Sequence, residues 1–207
     1  MAISTFAELK ASVADYLNRS DLTSVIPTFI TLAEAQINRD VRHWQMEEKA
    51  SLTVNSRYVA RPSDWIQTVR IALSGGSGGG LSLMSQQAMA EKRGAANDAA
   101  GTPAFYSHSE SNFELFPTPD SANTAELLYY QNVPALSNSA TSNWLLASAP
   151  DVYLYGTLIH SAPYLAEDGR TGVWAQMYGA AVNQLNLQSE SSKTSGAGLK
   201  LRVRGLG

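Results

Sequence analysis

The hydrophobic pattern changes its period twice along the chain, and this change constrains the fold more than any other feature. Apolar residues recur every three or four positions up to about residue 42 and again after about residue 132, whereas they alternate with polar residues between about 46 and 132. The pattern predicts an α+β protein. We expect an antiparallel helical bundle of two N-terminal and two C-terminal helices, with an antiparallel β-rich region inserted in it.

Four main helices are predicted, over about 5–18, 25–42, 150–166 and 170–188. Thr5 and Glu8 stand at capping-box spacing at the start of the first helix. Pro27 is compatible with the first turn of the second helix, and Asp168 with Gly169 should end the third. Since no amphipathic helix can bury its apolar face alone, the helices of the two chain ends are expected to pack together.

The β-rich insert, about 46–132, contains seven strand candidates and one short helix. The helix is predicted from Gln86 to Lys92, with Ser85 as its N-cap. The glycine-rich run at 75–80 predicts a flexible hairpin connection, and it lacks the Gly-Lys-Ser/Thr ending that a phosphate-binding loop needs. The strand candidates are 50–54, 57–60, 65–73, 81–84, 104–109, 112–116 and 125–131.

Composition excludes several classes of protein. The 207 residues include no cysteine, so disulfides and cysteine-based metal or nucleophilic sites are excluded. A net charge of −3 argues against a protein that binds nucleic acid over its whole surface. The N-terminal segment carries Glu8, Lys10 and Asp15 where an export signal needs an apolar stretch, and no run is long enough for a membrane span. We therefore expect a protein made in the cytoplasm of the cell that produces it, with one domain over 1–188.

The last residues differ from the rest in composition and charge. Residues 189–198 are rich in Ser and Gly and predict a linker. Lys193 and the three basic residues after it carry a charge of +4, so the part of the chain before Lys193 has a net charge of −7. A short strand on a linker cannot fold alone, so 189–207 is predicted to be a flexible basic arm that adds to a partner's sheet edge or groove. The strictly alternating part consists of Leu199, Lys200, Leu201, Arg202, Val203 and Arg204.

Residues that could carry catalysis are scattered. His43, His108 and His160 belong to different predicted elements, and none has a second histidine at the spacing of a helical metal-ligand pair. We predict no catalytic, metal-binding or cofactor-binding residues. The adjacent carboxylates at 47–48 and 167–168 suggest solvated charge at element ends, although a spatial carboxylate pair of the glycosidase type stays an open alternative at this point.

Aromatic residues cluster toward the C-terminal half. Such rings are favoured at protein–protein interfaces, but they also fill the junction between helices and sheets, and the sequence leaves both interpretations open. The cluster contains Tyr129, Tyr130, Tyr153, Tyr155, Tyr164, Trp174 and Tyr178.

Several strings, taken in order over about 5–188, resemble the head-to-tail adaptor (connector) proteins of tailed bacteriophages, the group that includes the tail tubular protein A-like adaptors. The chain has Arg61-Pro62 where that family usually has Leu-Pro. The strings are YLNRSDL at 16–22, FITLAEAQINR at 29–39 followed by Arg42, RPSDW at 61–65, LYYQNVPALS at 128–137, NWLL at 143–146 and PDVYLYG at 150–156.

The resemblance implies a non-enzymatic virion protein at the head-tail junction. Adaptors of this kind form a ring, usually of twelve copies, that binds below the portal protein, extends the DNA channel and docks tail (nozzle or tube) proteins during assembly and genome ejection. DNA would pass without sequence-specific binding. The resemblance makes 199–204 the candidate portal-binding arm. The alternatives are a tail-side joining or terminator ring protein and a small carboxylate-dependent hydrolase.

Overall fold

The computed structural model describes residues 3–74, 80–165 and 169–195, and the chain divides into two compact units. The helical unit comprises residues up to Gln45 and from Val133 onward, and the β unit comprises Met46–Asn132. The β unit thus begins and ends at the borders predicted for the insert. The protein is α+β, as predicted.

The described residues form six helices. The capping box of the first helix is present, because the Thr5 hydroxyl accepts a hydrogen bond from the Glu8 N–H at 3.2 Å and the Glu8 carboxylate accepts one from the Thr5 N–H at 3.0 Å. Ser85 caps the third helix as predicted. The helices are α1 (Phe6–Leu17), α2 (Ile26–Asp40), α3 (Gln86–Ala95), α4 (Trp144–Ser148), α5 (Pro150–Leu165) and α6 (Thr171–Thr194).

Helix α5 is the centre of the helical unit and contacts α1, α2, α4 and α6. The absence of a side chain at Gly156 permits two of these close approaches. A Cβ atom at this position would lie 3.3 Å from the Tyr178 ring of α6 and 3.4 Å from the Ala33 Cβ of α2. The packing of α2 and α6 on α5 therefore depends on a glycine in the middle of α5.

The β unit contains two sheets. The first has the order β1-β7-β3 and the second β2-β6-β5-β4. All pairs are antiparallel except β4 with β5, which are parallel. The strands are β1 (Glu47–Val54), β2 (Tyr58–Ala60), β3 (Trp65–Leu73), β4 (Ser82–Leu83), β5 (Phe105–Ser109), β6 (Asn112–Phe116) and β7 (Asn123–Gln131).

The predicted hairpin between 65–73 and 81–84 is wrong, because β3 and β4 belong to different sheets. One backbone bond still joins the two segments, from the Leu81 N–H to the Ile71 carbonyl at 2.7 Å. Beyond Leu81, β4 pairs in parallel with β5. Parallel pairing needs a crossover, and α3 supplies it. Most of the glycine-rich run, 75–79, lies outside the described residues.

The core of the β unit is formed by apolar side chains from the facing sides of the strands. Alternation along β7 buries Ala125, Leu127 and Tyr129, as the period of two requires. These side chains join one cluster with Leu52, Val54, Val59, Ile71, Tyr106, Phe113 and Leu115.

The end predicted for the last helix, near Gln188, is wrong, because α6 continues to Thr194. Ser189 is buried in the structure, and its hydroxyl accepts a hydrogen bond from the Trp44 N–H at 2.8 Å. The Ser192 and Thr194 hydroxyls bond to the carbonyls of Gln188 and Glu190. A tertiary contact and local hydrogen bonds thus keep a serine-rich segment helical where composition predicted a linker.

No helix in the described part of the chain is long and apolar enough to cross a membrane.

Candidate interaction surfaces

The predicted site residues, Leu199, Lys200, Leu201, Arg202, Val203 and Arg204, lie outside the described residues. The described chain reaches Ser195, the residue that follows α6. The arm therefore stays a prediction, and the sites described below lie in the two units.

The three histidines occupy separate packing positions. His43 is buried between the rings of Trp44 and Trp144, whose centroids lie 5.5 and 5.1 Å from its own. His108 packs among aromatic rings of the β unit, and His160 shares a hydrogen bond of 2.9 Å with the Gln36 amide oxygen. Burial lowers the pKa of all three imidazoles, which favours their neutral form.

The two carboxylate pairs singled out in the sequence do not form a described site. Glu47 and Glu48 are consecutive on β1, so their side chains point to opposite faces of the sheet. Glu167 and Asp168 lie outside the described residues. Residues 3–74, 80–165 and 169–195 contain no group of three His, Asp or Glu side chains that could hold a metal ion.

Four of the seven aromatic residues clustered toward the C-terminal half lie in the cores of the two units. Tyr129, Tyr153, Trp174 and Tyr178 are all buried, so the interface interpretation is wrong for these four. The Tyr129 hydroxyl donates to Asp64 at 3.1 Å, and burial beside this carboxylate raises the pKa of Tyr129 to about 12. Tyr164 differs, with 57% of its surface exposed.

A polar network fastens the segment that returns from the β unit onto α2. The Val133 N–H donates to the Asn38 side-chain oxygen at 2.8 Å, and the Leu136 N–H donates to the Glu34 carboxylate at 2.7 Å. Asn143 donates to the Tyr153 hydroxyl at 2.7 Å. Burial raises the pKa of Glu34, while the bond from Leu136 partly offsets the effect. The network fixes this connection within the helical unit.

Helix α6 presents an exposed apolar face of Val173, Met177, Ala180 and Leu187, which we call the α6 face. The exposed fraction of the side chain is 54% for Val173, 49% for Met177 and 56% for Leu187. No charged residue occurs between positions 170 and 190 of the sequence. Soluble helices usually carry charge on the side that faces water, so this face is suited to contact with another protein surface.

A second exposed face without charge belongs to α2 and consists of Thr28, Leu32 and Ala35, which we call the α2 face. Leu32 is 46% exposed. Glu34 is the one charged residue between positions 22 and 38, and its side chain is turned into the buried network. The helical unit thus exposes two separate uncharged helix faces.

Two depressions in the described surface are open and mostly polar. One of about 300 Å³ is lined by residues at the end of α1, including Asp15 and Arg19. Another of about 190 Å³ lies between α6 and the start of α5, beside Asp151 and Gln184. Neither has the apolar, enclosed lining typical of small-molecule sites.

The described surface thus presents two exposed, uncharged helix faces. A family model described as SU10 adaptor protein matches residues 4–202, and the chain belongs to the SU10 adaptor protein family. The resemblance to phage head-to-tail adaptors is confirmed, and the protein is a structural adaptor component of a bacteriophage virion. No curated protein matches the chain.

The α6 face and the α2 face were not predicted from the sequence. A signal was present, because a stretch of nineteen residues without charge, 171–189, is unusual for a helix that faces water. The periodicity of α6 alone does not show which apolar residues are covered, since apolar residues occur on both sides of the helix.

Proposed function

We propose that the protein is the head-to-tail adaptor that binds below the portal protein. Copies form a ring, usually of twelve, which extends the DNA channel and provides the docking platform for tail proteins during assembly and genome ejection. The observation that carries the proposal is the family match, which covers nearly the whole chain and reaches residue 202, within the basic alternating segment.

The arm from Leu199 to Arg204 is the proposed portal-binding element. Its apolar residues alternate with Lys200, Arg202 and Arg204, so a strand formed by it has one apolar and one basic face. Such a strand suits the edge of a partner's sheet or an acidic groove, where backbone hydrogen bonds supply affinity and the side chains supply specificity.

The acidic body suits a channel wall. The chain before Lys193 carries a net charge of −7, and like charge disfavours binding to DNA phosphates. We expect the ring to let DNA slide through it. Retention of linear DNA by the isolated ring, measured while the salt concentration is lowered, tests this expectation, and tight retention would contradict it.

Portal binding is tested by deleting 196–207 from the full-length protein. The deletion starts at 196 because α6 extends to Thr194 and Ser189 is buried. We expect unchanged far-ultraviolet circular dichroism and a loss of portal binding in a pull-down with purified portal. Normal docking of the truncated protein would contradict the role of the arm.

A matched pair of variants separates charge from alternation in the arm. Replacing Lys200, Arg202 and Arg204 by Glu reverses the charge and keeps the alternation, whereas exchanging the order of Leu201 and Arg202 keeps the charge and breaks the alternation. Both should weaken portal binding if the arm binds as a basic strand. Binding to purified tail proteins, with none to the portal, would favour the tail-side ring protein instead.

A further inference from the structure

We infer that the α6 face of one copy packs against the α2 face of a neighbouring copy. This inference rests on the proposed function in one respect, namely that the protein acts as an assembly of its own copies. It concerns the described helices and does not require the arm.

The spacing of the α6 face is that of a helix–helix seam. Val173, Met177, Ala180 and Leu187 follow the alternating steps of four and three residues that bring side chains onto one line of a helix, with Gln184 filling the remaining position. The opposite side of α6, with Trp174, Tyr178, Val182 and Leu185, is already buried. The helix therefore has a second seam that the helical unit leaves exposed.

Two exposed glycines of α6, Gly172 and Gly179, lie about 100° around the helix from the α6 face. A Cβ atom added at Gly172 or Gly179 would meet nothing within 4 Å, so packing within the described chain does not require either glycine. Glycine inside a helix costs about 1 kcal/mol relative to alanine. Because neither glycine lies on the α6 face, the inference does not rest on them.

The α2 face has the matching pattern. Thr28, Leu32 and Ala35 follow the same steps of four and three residues, and the next position of this seam is the exposed Arg39. The α6 face is followed at its C-terminal end by the exposed Glu190. If the two helices are parallel, Glu190 at the end of the α6 face lies beside Arg39 at the end of the α2 face. If they are antiparallel, Arg39 lies toward Arg170, which has the same charge. The charges therefore favour the parallel arrangement.

The small area of the α6 face favours contact with a second copy of the protein over tight binding to one different protein. From Val173 to Leu187 the α6 face is about 21 Å long, and a helix is about 10 Å wide. Such a strip buries a few hundred Å², well below the roughly 800 Å² per partner of a stable complex. A copy that uses its α6 face and its α2 face at once makes two such contacts, and head-to-tail contacts of this kind can close into a ring.

The experiment uses the absence of cysteine in the chain. Full-length Leu32→Cys and Ala180→Cys variants, one carrying a mass tag, are mixed and treated with a short bis-maleimide. The control is an Ala7→Cys variant, which places the thiol on the exposed side of α1. We expect the Leu32→Cys and Ala180→Cys variants to cross-link with each other about tenfold faster than either of them cross-links with this control. The Leu32→Cys/Ala180→Cys double variant should give a ladder of higher oligomers.

Adding Met177→Glu to the Ala180→Cys variant should reduce the rate to that of the control, with an unchanged circular dichroism spectrum. Equal rates for the mixed pair and the Ala7→Cys control would overturn the inference, as would faster formation of either homodimer, which indicates a symmetric contact. A portal pull-down on the same variants distinguishes the contact between copies from binding to the portal. Portal binding without the mixed dimer would contradict this inference and leave the proposed function intact.

Discussion

The two units of the molecule differ in where they place charge. In the β unit, Glu114 is buried and lies 2.7 Å from Arg57 and 3.3 Å from Arg93, and Arg93 also pairs with Asp98. In the helical unit, the exposed sides of α2 and α6 run for several turns without charge. The β unit uses charge to hold its strands together, whereas the helical unit leaves uncharged faces open.

Exposed apolar side chains show the same contrast among the described residues. In the β unit the large exposed ones are Tyr58, Val69 and Leu83, whereas the helical unit has Tyr16, Leu32, Trp44, Tyr164, Val173, Met177 and Leu187. Apolar surface exposed on a folded protein marks a region of interaction when it is contiguous. Most of the large exposed apolar side chains of the described residues thus belong to the helical unit, which agrees with the contact between copies inferred above.

The largest expected effect tests the role of buried charge in the β unit. Glu114→Ala removes the buried carboxylate shared by Arg57 and Arg93 and leaves Arg93 with the exposed Asp98 alone, which should lower the free energy of unfolding by about 3 kcal/mol. The matched control is Glu126→Ala, which removes the exposed pair with Arg70 and should cost at most about 1 kcal/mol. Urea denaturation measures both, and equal costs would contradict the contrast between the units.

The second test concerns the polar network that holds the segment after the β unit onto α2. Asn143 caps α4 through the Leu146 N–H at 2.8 Å and also bonds to the Pro134 carbonyl and the Tyr153 hydroxyl. Asn143→Ala should therefore lower the free energy of unfolding by about 1–2 kcal/mol. Asn183→Ala, on the exposed side of α6, serves as the control and should be neutral within about 0.5 kcal/mol. A neutral Asn143→Ala would show that the network is dispensable.

A smaller effect of opposite sign is expected at Gly179. Gly179→Ala should raise the free energy of unfolding of the isolated protein by about 0.5–1 kcal/mol, because the added methyl group meets no neighbour and the helix loses less entropy. At Gly156 the same change places a Cβ 3.3 Å from Tyr178, so it should gain less. Thermal denaturation of both variants checks the order, and a larger gain at Gly156 would be inconsistent with the packing of α5.

The smallest effect is a change in pH dependence at Glu34. Burial raises the pKa of Glu34 in the folded protein, so the folded state holds this proton more tightly than the unfolded state does. Its contribution to the free energy of unfolding therefore falls as the pH rises through the raised pKa. Glu34→Gln keeps an acceptor for the Leu136 N–H and does not titrate, so its stability relative to wild type should increase as the pH rises above about 4.

Glu8 provides a control of opposite sign for Glu34. Hydrogen bonds from Ser4 and Thr5 lower the pKa of Glu8, so its contribution is present above its usual titration range and is lost as the pH falls. Glu8→Gln should therefore lose stability relative to wild type as the pH rises. Parallel slopes for the two variants, measured by denaturant titration at several pH values, would show that Glu34 is not desolvated as described.

Features that depend on neighbours along the chain were predicted correctly. The helical spacing before residue 42 and the alternation after 46 correspond to α1, α2 and the strands, and the caps at Thr5 and Ser85 are present. Predictions failed where a distant contact intervened. The last helix continues past Gln188, where the Ser189 hydroxyl bonds to the Trp44 N–H. The third helix continues past its predicted end at Lys92 to Ala95, and Arg93 reaches Leu115 and Glu114 of β6.

For the candidate surfaces, the sequence carries part of the information. It shows the uncharged stretches in α2 and α6 and the alternation of 199–204, because charge and spacing are properties of the chain itself. It does not show that Trp174 and Tyr178 are covered while Val173 and Met177 are exposed, because both sets are apolar and adjacent. That distinction arises when α6 packs on α5, and only the folded chain selects which side of the helix meets water.

The change of hydrophobic period along the chain thus determined which segments are helices and which are strands, because secondary structure depends on residues within a few positions of one another. Strand partners, the placement of β3 and β4 in separate sheets, and the burial of Glu34, Arg93 and Glu114 depended on contacts between residues far apart in the chain. Such contacts are chosen by the packing of whole elements, which no local pattern encodes.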